Sequence, residues 1–301
     1  MAATVQTVER TSEPPRLRVG QRLRVLLAHR EILLNLVRKE LKVKYTASVL
    51  GAVWSLLNPI VFLAVFTFVV KVTGNSFPHY PIYLLSGLLA WNLFQASLST
   101  GARSVIENAN LVKKVAFPHE ILPLAAVGVA LVDFVLQSAV LLLFILVSGY
   151  GFHLPELAIY PLAFVALLVF TTALTLWLSA LNVRYRDVGH LLNIGLLVWF
   201  WLTPIVYSGW LVQKQLAQYQ VLGVNLWNLF LLNPLAGIVF GFQRALYAFR
   251  VPPGTSEPVL PMVSLPWLAG VLAIVLVASV AFLWFAWRRF FAMSGDFAEE
   301  L

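Results

Sequence analysis

The sequence predicts an all-α membrane protein of six transmembrane helices, with an N-terminal amphipathic interfacial helix and re-entrant external half-helices between crossings five and six. Three observations carry this. Hydrophobic residues make up 60% of the 301 positions and charged residues only 11%, with mean hydropathy +0.84, against roughly half apolar and a quarter charged in a soluble domain. Six stretches reach the roughly 20 apolar residues that a helix needs to cross the hydrocarbon core with its backbone paired internally. Finally, Lys and Arg alternate between successive connections in the way the positive-inside rule requires.

The six crossings fall at approximately Val49–Val70, Ile82–Gly101, Ile121–Val147, Leu157–Leu181, Leu191–Trp210 and Leu268–Trp287. Neither 72–81 nor 148–156 contains Lys or Arg, whereas 102–119 carries Arg103, Lys113 and Lys114, and 182–190 carries Arg184 and Arg186. With Arg288-Arg289 opening the tail, the even number of crossings places both termini in the cytoplasm. The expected organisation is a flexible cytoplasmic leader over 1–21, an amphipathic helix over 22–48, and a single transmembrane domain over 49–301. The leader has no apolar core, so it does not read as a cleavable signal peptide, and about 14 residues follow the last crossing.

Within 22–48, Leu23, Leu26, Leu27, Leu34, Val37 and Leu41 share one helical face, while Arg22, Arg24, Arg38, Lys39 and Lys42 lie off it. Arg30 falls inside the stripe. Of the 21 Lys and Arg residues, 10 lie in the first 48 positions beside the first apolar run. That placement suits a helix in the headgroup plane and membrane lipids as partners, not nucleic acid.

The stretch Val221–Phe249 is apolar but interrupted by Asn225, Asn228 and Asn233-Pro234. It reads as two half-helices dipping in from outside within an external region over 211–266, because broken backbone at depth is tolerated where it packs on protein. An external amphipathic helix is the alternative, and a full crossing would move the tail outside.

Several chemistries are excluded. The chain has no cysteine, hence no disulfide or thiolate site, and no GxxxxGK[ST] loop to cradle nucleotide phosphates. His29, His79, His119, His153 and His190 are isolated from one another, and there is no HExxH, no GxSxG elbow and no DxD pair. No catalytic residue and no metal site is expected. The one acid well inside a crossing is Asp133, which reads either as a functional group or, preferably, as a structural one, hydrogen-bonded in its neutral form or paired with a basic residue of a neighbouring helix.

Aromatic residues lie within crossings as well as at their ends: Trp54, Phe62, Phe66 and Phe68 on the first, and Trp199, Phe200 and Trp201 on the fifth. Ring faces suit a sugar conduit, and equally suit packing or lipid contact. Tyr80, Tyr83, Tyr207 and Trp210 fit an interfacial belt. The 105–118 loop mixes charges with Leu111, Val112 and Phe117, a composition for docking in a partner's groove. The turn Arg184, Tyr185, Arg186, Asp187 is a dense charged connection.

These features collectively resemble the membrane subunit of an ABC-2 type exporter, of the group that moves lipid-linked polysaccharides such as O-antigens, teichoic acids and galactan. The resemblance runs from about Arg22 and rests on Val37–Tyr45, Leu50–Pro59, Asn108–Pro118, Arg184–Gly189, Leu232–Leu235 and Arg244–Tyr247, in that order against six crossings. It implies a permease subunit in a bacterial plasma membrane, serving cell-envelope biogenesis. It further implies pairing with a second copy of the chain and with two copies of a separate ABC ATPase, which binds the ATP and Mg and carries out hydrolysis. The substrate would be a polyprenyl-pyrophosphate-linked polysaccharide; a drug or small-lipid exporter is the alternative. By the same resemblance Arg38, Lys39, Lys42, Lys44 and Tyr45 form a lipid-phosphate gate, and Trp54, Phe62, Phe66, Trp199, Phe200 and Trp201 line a glycan conduit. Glu107, Asn108, Asn110, Leu111, Lys113, Lys114, Phe117 and Pro118 would couple to the ATPase, and Asn233 and Pro234 would form an external gate.

Overall fold

A computed structural model describes residues 19–46, 53–74, 77–221, 223–252 and 257–301. The first 18 residues of the leader and the start of the first crossing, 49–52, lie outside the described residues. The chain is mostly helical, and a two-residue hairpin is the only sheet among the described residues.

Four helical segments are long and apolar enough to cross a membrane: Tyr80–Gly101, Ile121–Val147, Leu154–Arg184 and Leu265–Ser294. Two shorter apolar helices, over Pro59–Val72 and Val188–Trp201, occupy the positions of the expected first and fifth crossings. In chain order the elements are α1 (Val19–Ala28), α2 (Arg30–Thr46), α3 (Val53–Val72), α4 (Tyr80–Gly101), α5 (Ser104–Glu107), α6 (Ala109–Lys114) and α7 (Ile121–Val147). There follow α8 (Leu154–Leu157), α9 (Tyr160–Arg184), α10 (Val188–Trp201), α11 (Gly209–Leu216), β1 (Gln220–Val221), β2 (Val224–Asn225), α12 (Leu226–Phe230), α13 (Pro234–Leu246), α14 (Leu265–Ser294) and α15 (Phe297–Glu300).

Helix α4 is the centre of the bundle, with one face on α7 and others on α9 and α13. Its hydropathy is 1.2, against 2.5 for α7 and 2.6 for α14. Of the four long helices the most enclosed is thus the least apolar, because it faces protein, where Ser86 and Ser97 are tolerated, while α7 and α14 turn Leu143, Val147, Ile274 and Val277 outward. Close approach between elements is set by small residues. A Cβ added at Gly101 would collide with Thr175 of α9, and one at Gly241 would lie 2.8 Å from Ala163 and 3.1 Å from Leu272, so α13 is wedged between α9 and α14.

The basic N-terminal region is two helices, α1 and α2, parted at His29, whose ring nitrogen Nδ1 lies 2.8 Å from the Val25 carbonyl oxygen. Of the expected apolar stripe, Val37 and Leu41 are partly buried, whereas Leu27 and Leu34 are exposed at 61% and 49%.

The fifth apolar helix ends at Trp201, not at Trp210. The reason is the Thr203-Pro204 break. Pro204 lacks an N–H, and its carbonyl accepts hydrogen bonds from Gln243 Nε2 at 2.9 Å and from the Tyr83 hydroxyl at 3.3 Å. The carbonyls of Val206 and Tyr207 are taken by Tyr80 and Tyr83 at 2.9 and 2.7 Å. Two tyrosines expected to mark an interface therefore hold irregular backbone in place.

Candidate functional site

At the end of the bundle where α4 closes and α7 begins, three sequence features converge. Helix α2 lies against α7 so tightly at Gly128 that an added Cβ would stand 2.8 Å from Val37 Cγ2. One turn and a half further along α7, Asp133 is 8% exposed. Its Oδ2 accepts from Lys44 Nζ at 2.6 Å and its Oδ1 from the Tyr45 hydroxyl at 2.6 Å. Both carboxylate oxygens are thus engaged by α2, the arrangement a buried charge requires. This buried acid finds a basic partner in α2, 89 positions away in sequence.

Between α2, α4, α5 and α7 lies a cavity of about 280 Å³, lined by Lys39, Glu40, Lys44, Glu107, Asn108 and Asp133 among others. Of the expected phosphate partners, Lys44 is held on Asp133 and Lys39 approaches Glu40 at 3.4 Å. Arg38 and Lys42 are exposed.

The 105–118 loop folds as α5 and α6. Val112 is buried and Leu111 and Phe117 are partly buried, against Phe290 of α14 and Phe297 of α15. Their apolar character is accounted for within the chain, by a C-terminal helix that sequence reasoning missed. The outward face carries Glu107, Asn110, Lys113 and Lys114, with Asn108 and Pro118 half-buried. His119 packs between Phe117 and Phe297. Burial holds its pKa below the ordinary 6.5, with Glu120 and the Ser294 backbone acting the other way.

Next to it, Glu120 receives Arg22 of α1 at 3.6 Å and Trp287 Nε1 at 3.3 Å. Burial lowers the Arg22 pKa to about 10, against the pull of Glu120. The charged turn Arg184, Tyr185, Arg186, Asp187 is exposed. It is pinned by Asn182, which donates to the Ala102 carbonyl at 2.9 Å and accepts from the Gly189 N–H at 2.9 Å. The sequence alone offered no role for Asn182.

The aromatic residues divide into two groups. Phe62 and Phe66 of α3 meet Phe200 and Trp201 of α10, at centroid separations of 6.1 and 6.4 Å. Trp199 turns the other way, onto Phe94 and Phe170. The side chain of Trp54 lies outside the described residues. Trp199 Nε1 donates to Asn233 Oδ1 at 2.8 Å, and the same oxygen caps α13 through the Leu235 N–H at 3.1 Å. Asn233 Nδ2 donates to the Leu202 carbonyl and Thr203 Oγ1, each at 3.3 Å. One amide therefore fastens the start of α13 to the end of α10, with Pro234 as the first residue of the helix.

Long apolar helices, a basic helix tied to one of them by an ion pair, and a broken helical segment at the opposite end define a multi-pass membrane protein. The chain belongs to the ABC-2 type transporter family, whose model matches residues 32–213. It is 31% identical to the O-antigen export system permease protein RfbA of Myxococcus xanthus, over 93% of this chain and 98% of the relative. Two permeases of the same name from Klebsiella pneumoniae are each 28% identical over 71% of this chain and 79% of their own length.

Proposed function

We propose that this chain is the permease subunit of an ATP-driven exporter that moves a lipid-linked polysaccharide across the bacterial plasma membrane. The observation that carries the reading is likeness along nearly the whole chain to a protein named as an O-antigen export permease. The clustering of Lys39, Lys44, Glu107 and Asn108 around one cavity supports it, because a site for an anionic headgroup would then share a wall with the segment that meets the ATPase.

In this reading the chain crosses the membrane six times, by α3, α4, α7, α9, α10 and α14, with both termini cytoplasmic. The leader over 1–21, the gate over 22–48 and the coupling loop over 102–119 lie inside, and the region 211–266 lies outside with α12 and α13 re-entrant. Two copies pair, and the exposed faces of α3 and α10, with Phe68 68% and Leu197 63% exposed, are the surfaces left over for a partner copy or for lipid. Each copy engages one ATPase subunit through Glu107, Asn110, Lys113 and Lys114, with Arg184 to Asp187 alongside. Arg38, Lys39, Lys42 and Lys44 receive the pyrophosphate of a polyprenyl carrier, with Tyr45 beside them in the gate. The rings at 62, 66, 200 and 201, with Trp54 and Trp199, flank the glycan path, and Asn233-Pro234 closes it outside. ATP and Mg belong to the ATPase, and this chain contributes no bond-making group. The ATPase closes on ATP, pushes on the 105–118 segment and moves the gate.

The test is depletion of the protein in its native host. The reading expects undecorated lipid-linked glycan to accumulate on the inner leaflet. Normal cell-surface glycan would instead assign the chain to drug or small-lipid export. Affinity purification that recovers no ATPase subunit would overturn both.

A further inference from the structure

The Asp133 carboxylate has an asymmetric pair of partners. Tyr45 is half-buried and neutral, while the Lys44 side chain is 40% exposed and borders the 280 Å³ cavity. Lys44 can therefore turn from Asp133 toward a ligand in that cavity without leaving the carboxylate bare, because Oδ1 keeps the tyrosine hydroxyl. A diphosphate carries more charge and more acceptor oxygens than one carboxylate, so it competes for the ammonium through stronger charge-assisted hydrogen bonds. We propose that Asp133 is a positioning residue that holds Lys44 in reserve, and that a lipid-borne diphosphate takes Lys44 over, loosening α2 from α7.

The proposal rests on the export reading above, and it adds to it a trigger by which cargo is sensed. The consequence of loosening is local. Helix α2 is seated by the Asp133 pair and by the close approach of Val37 to Gly128. Glu107 and Asn108 of the coupling loop form the far wall of the same cavity. Departure of Lys44 from Asp133 therefore alters the surroundings of the segment that meets the ATPase, and reports headgroup arrival before any glycan enters. Other charges at the cavity are Lys39, which draws the diphosphate in, and Glu40 and Glu107, which disfavour a second anion.

Asp133 and Tyr45 give opposite expectations, which a merely structural role would not. Asp133→Asn removes the competing carboxylate, so diphosphate binding tightens, by about tenfold if one charge-assisted bond of about 1.4 kcal/mol is released. Tyr45→Phe removes the bond that steadies the carboxylate once Lys44 has left, so binding weakens severalfold. Loss of a seat alone would shift both in the same direction. The experiment uses the full-length permease with its ATPase in phosphatidylcholine nanodiscs, with undecaprenyl diphosphate as probe and inorganic diphosphate as a second arm. Tightening in Asp133→Asn, alone or together with weakening in Tyr45→Phe, supports the proposal, and weakening in both variants overturns it. Unchanged affinity in the variants overturns it and leaves the export reading intact. Failure of the native complex to bind the lipid overturns both. Inorganic diphosphate binding as tightly as the lipid overturns the assignment to a lipid-borne group.

Discussion

The amide of Asn233 shows how one side chain settles the boundary between two helices. It caps α13, accepts the Trp199 indole and ties down Leu202 and Thr203, so the end of α10 and the start of α13 form a single junction. Gly101 does comparable work by having no side chain. Gly101→Ala is expected to destabilise the protein by about 1–3 kcal/mol through overpacking, since the new methyl collides with Thr175 Cγ2. Thr175→Ser, which removes that methyl, should restore most of the loss in the double variant, as read by thermal unfolding in detergent. Some of this scale was visible in sequence: a basic partner was one of the two structural roles expected for Asp133, and it has one. That the partner would be Lys44, already set aside for phosphate, was not visible, because 89 positions of chain separate the two and only the fold brings α2 onto α7.

At the scale of elements, the apolar run of α7 begins and ends where the sequence places it, since charges and Pro118 bound it on one side and Gly149-Tyr150-Gly151 on the other. The fifth crossing was read as ending nine residues too late. Hydropathy does not register that the carbonyls beyond Trp201 are consumed by Gln243, Tyr80 and Tyr83 from other helices. Composition alone also leaves the 105–118 segment incomplete: Val112 and Phe117 look like docking residues until α15 is placed against them. Two outcomes follow from that packing. Truncation after Asp296 removes Phe297 and uncovers Val112, so limited proteolysis within 105–118 should accelerate by severalfold while the rest of the bundle stays protected. Acid should act on the same junction. Because burial depresses the His119 pKa in the folded chain, the unfolded chain takes up the proton more readily, and stability present above about pH 6.5 is lost as pH falls. Hydrogen exchange in 105–118 should rise below that pH, and His119→Gln should flatten the dependence.

For the whole molecule, the family and the general architecture were legible because membrane solvent imposes composition and length directly, and because short motifs fall in a fixed order along the chain. The bundle has a polar end, where α2, α5 and Asp133 share a cavity, and an opposite end, where α13 is pinned beneath the 203–207 backbone. The export reading requires the first end to face the ATPase and the second to face outward. The natural absence of cysteine allows each position to be probed by a single introduced thiol. Cysteines at Lys113, Lys214 and Glu299, labelled with a membrane-impermeant maleimide in intact and in permeabilised cells, test this orientation directly. The account predicts labelling at 214 in intact cells, and at 113 and 299 only after permeabilisation; labelling at 299 in intact cells would contradict it.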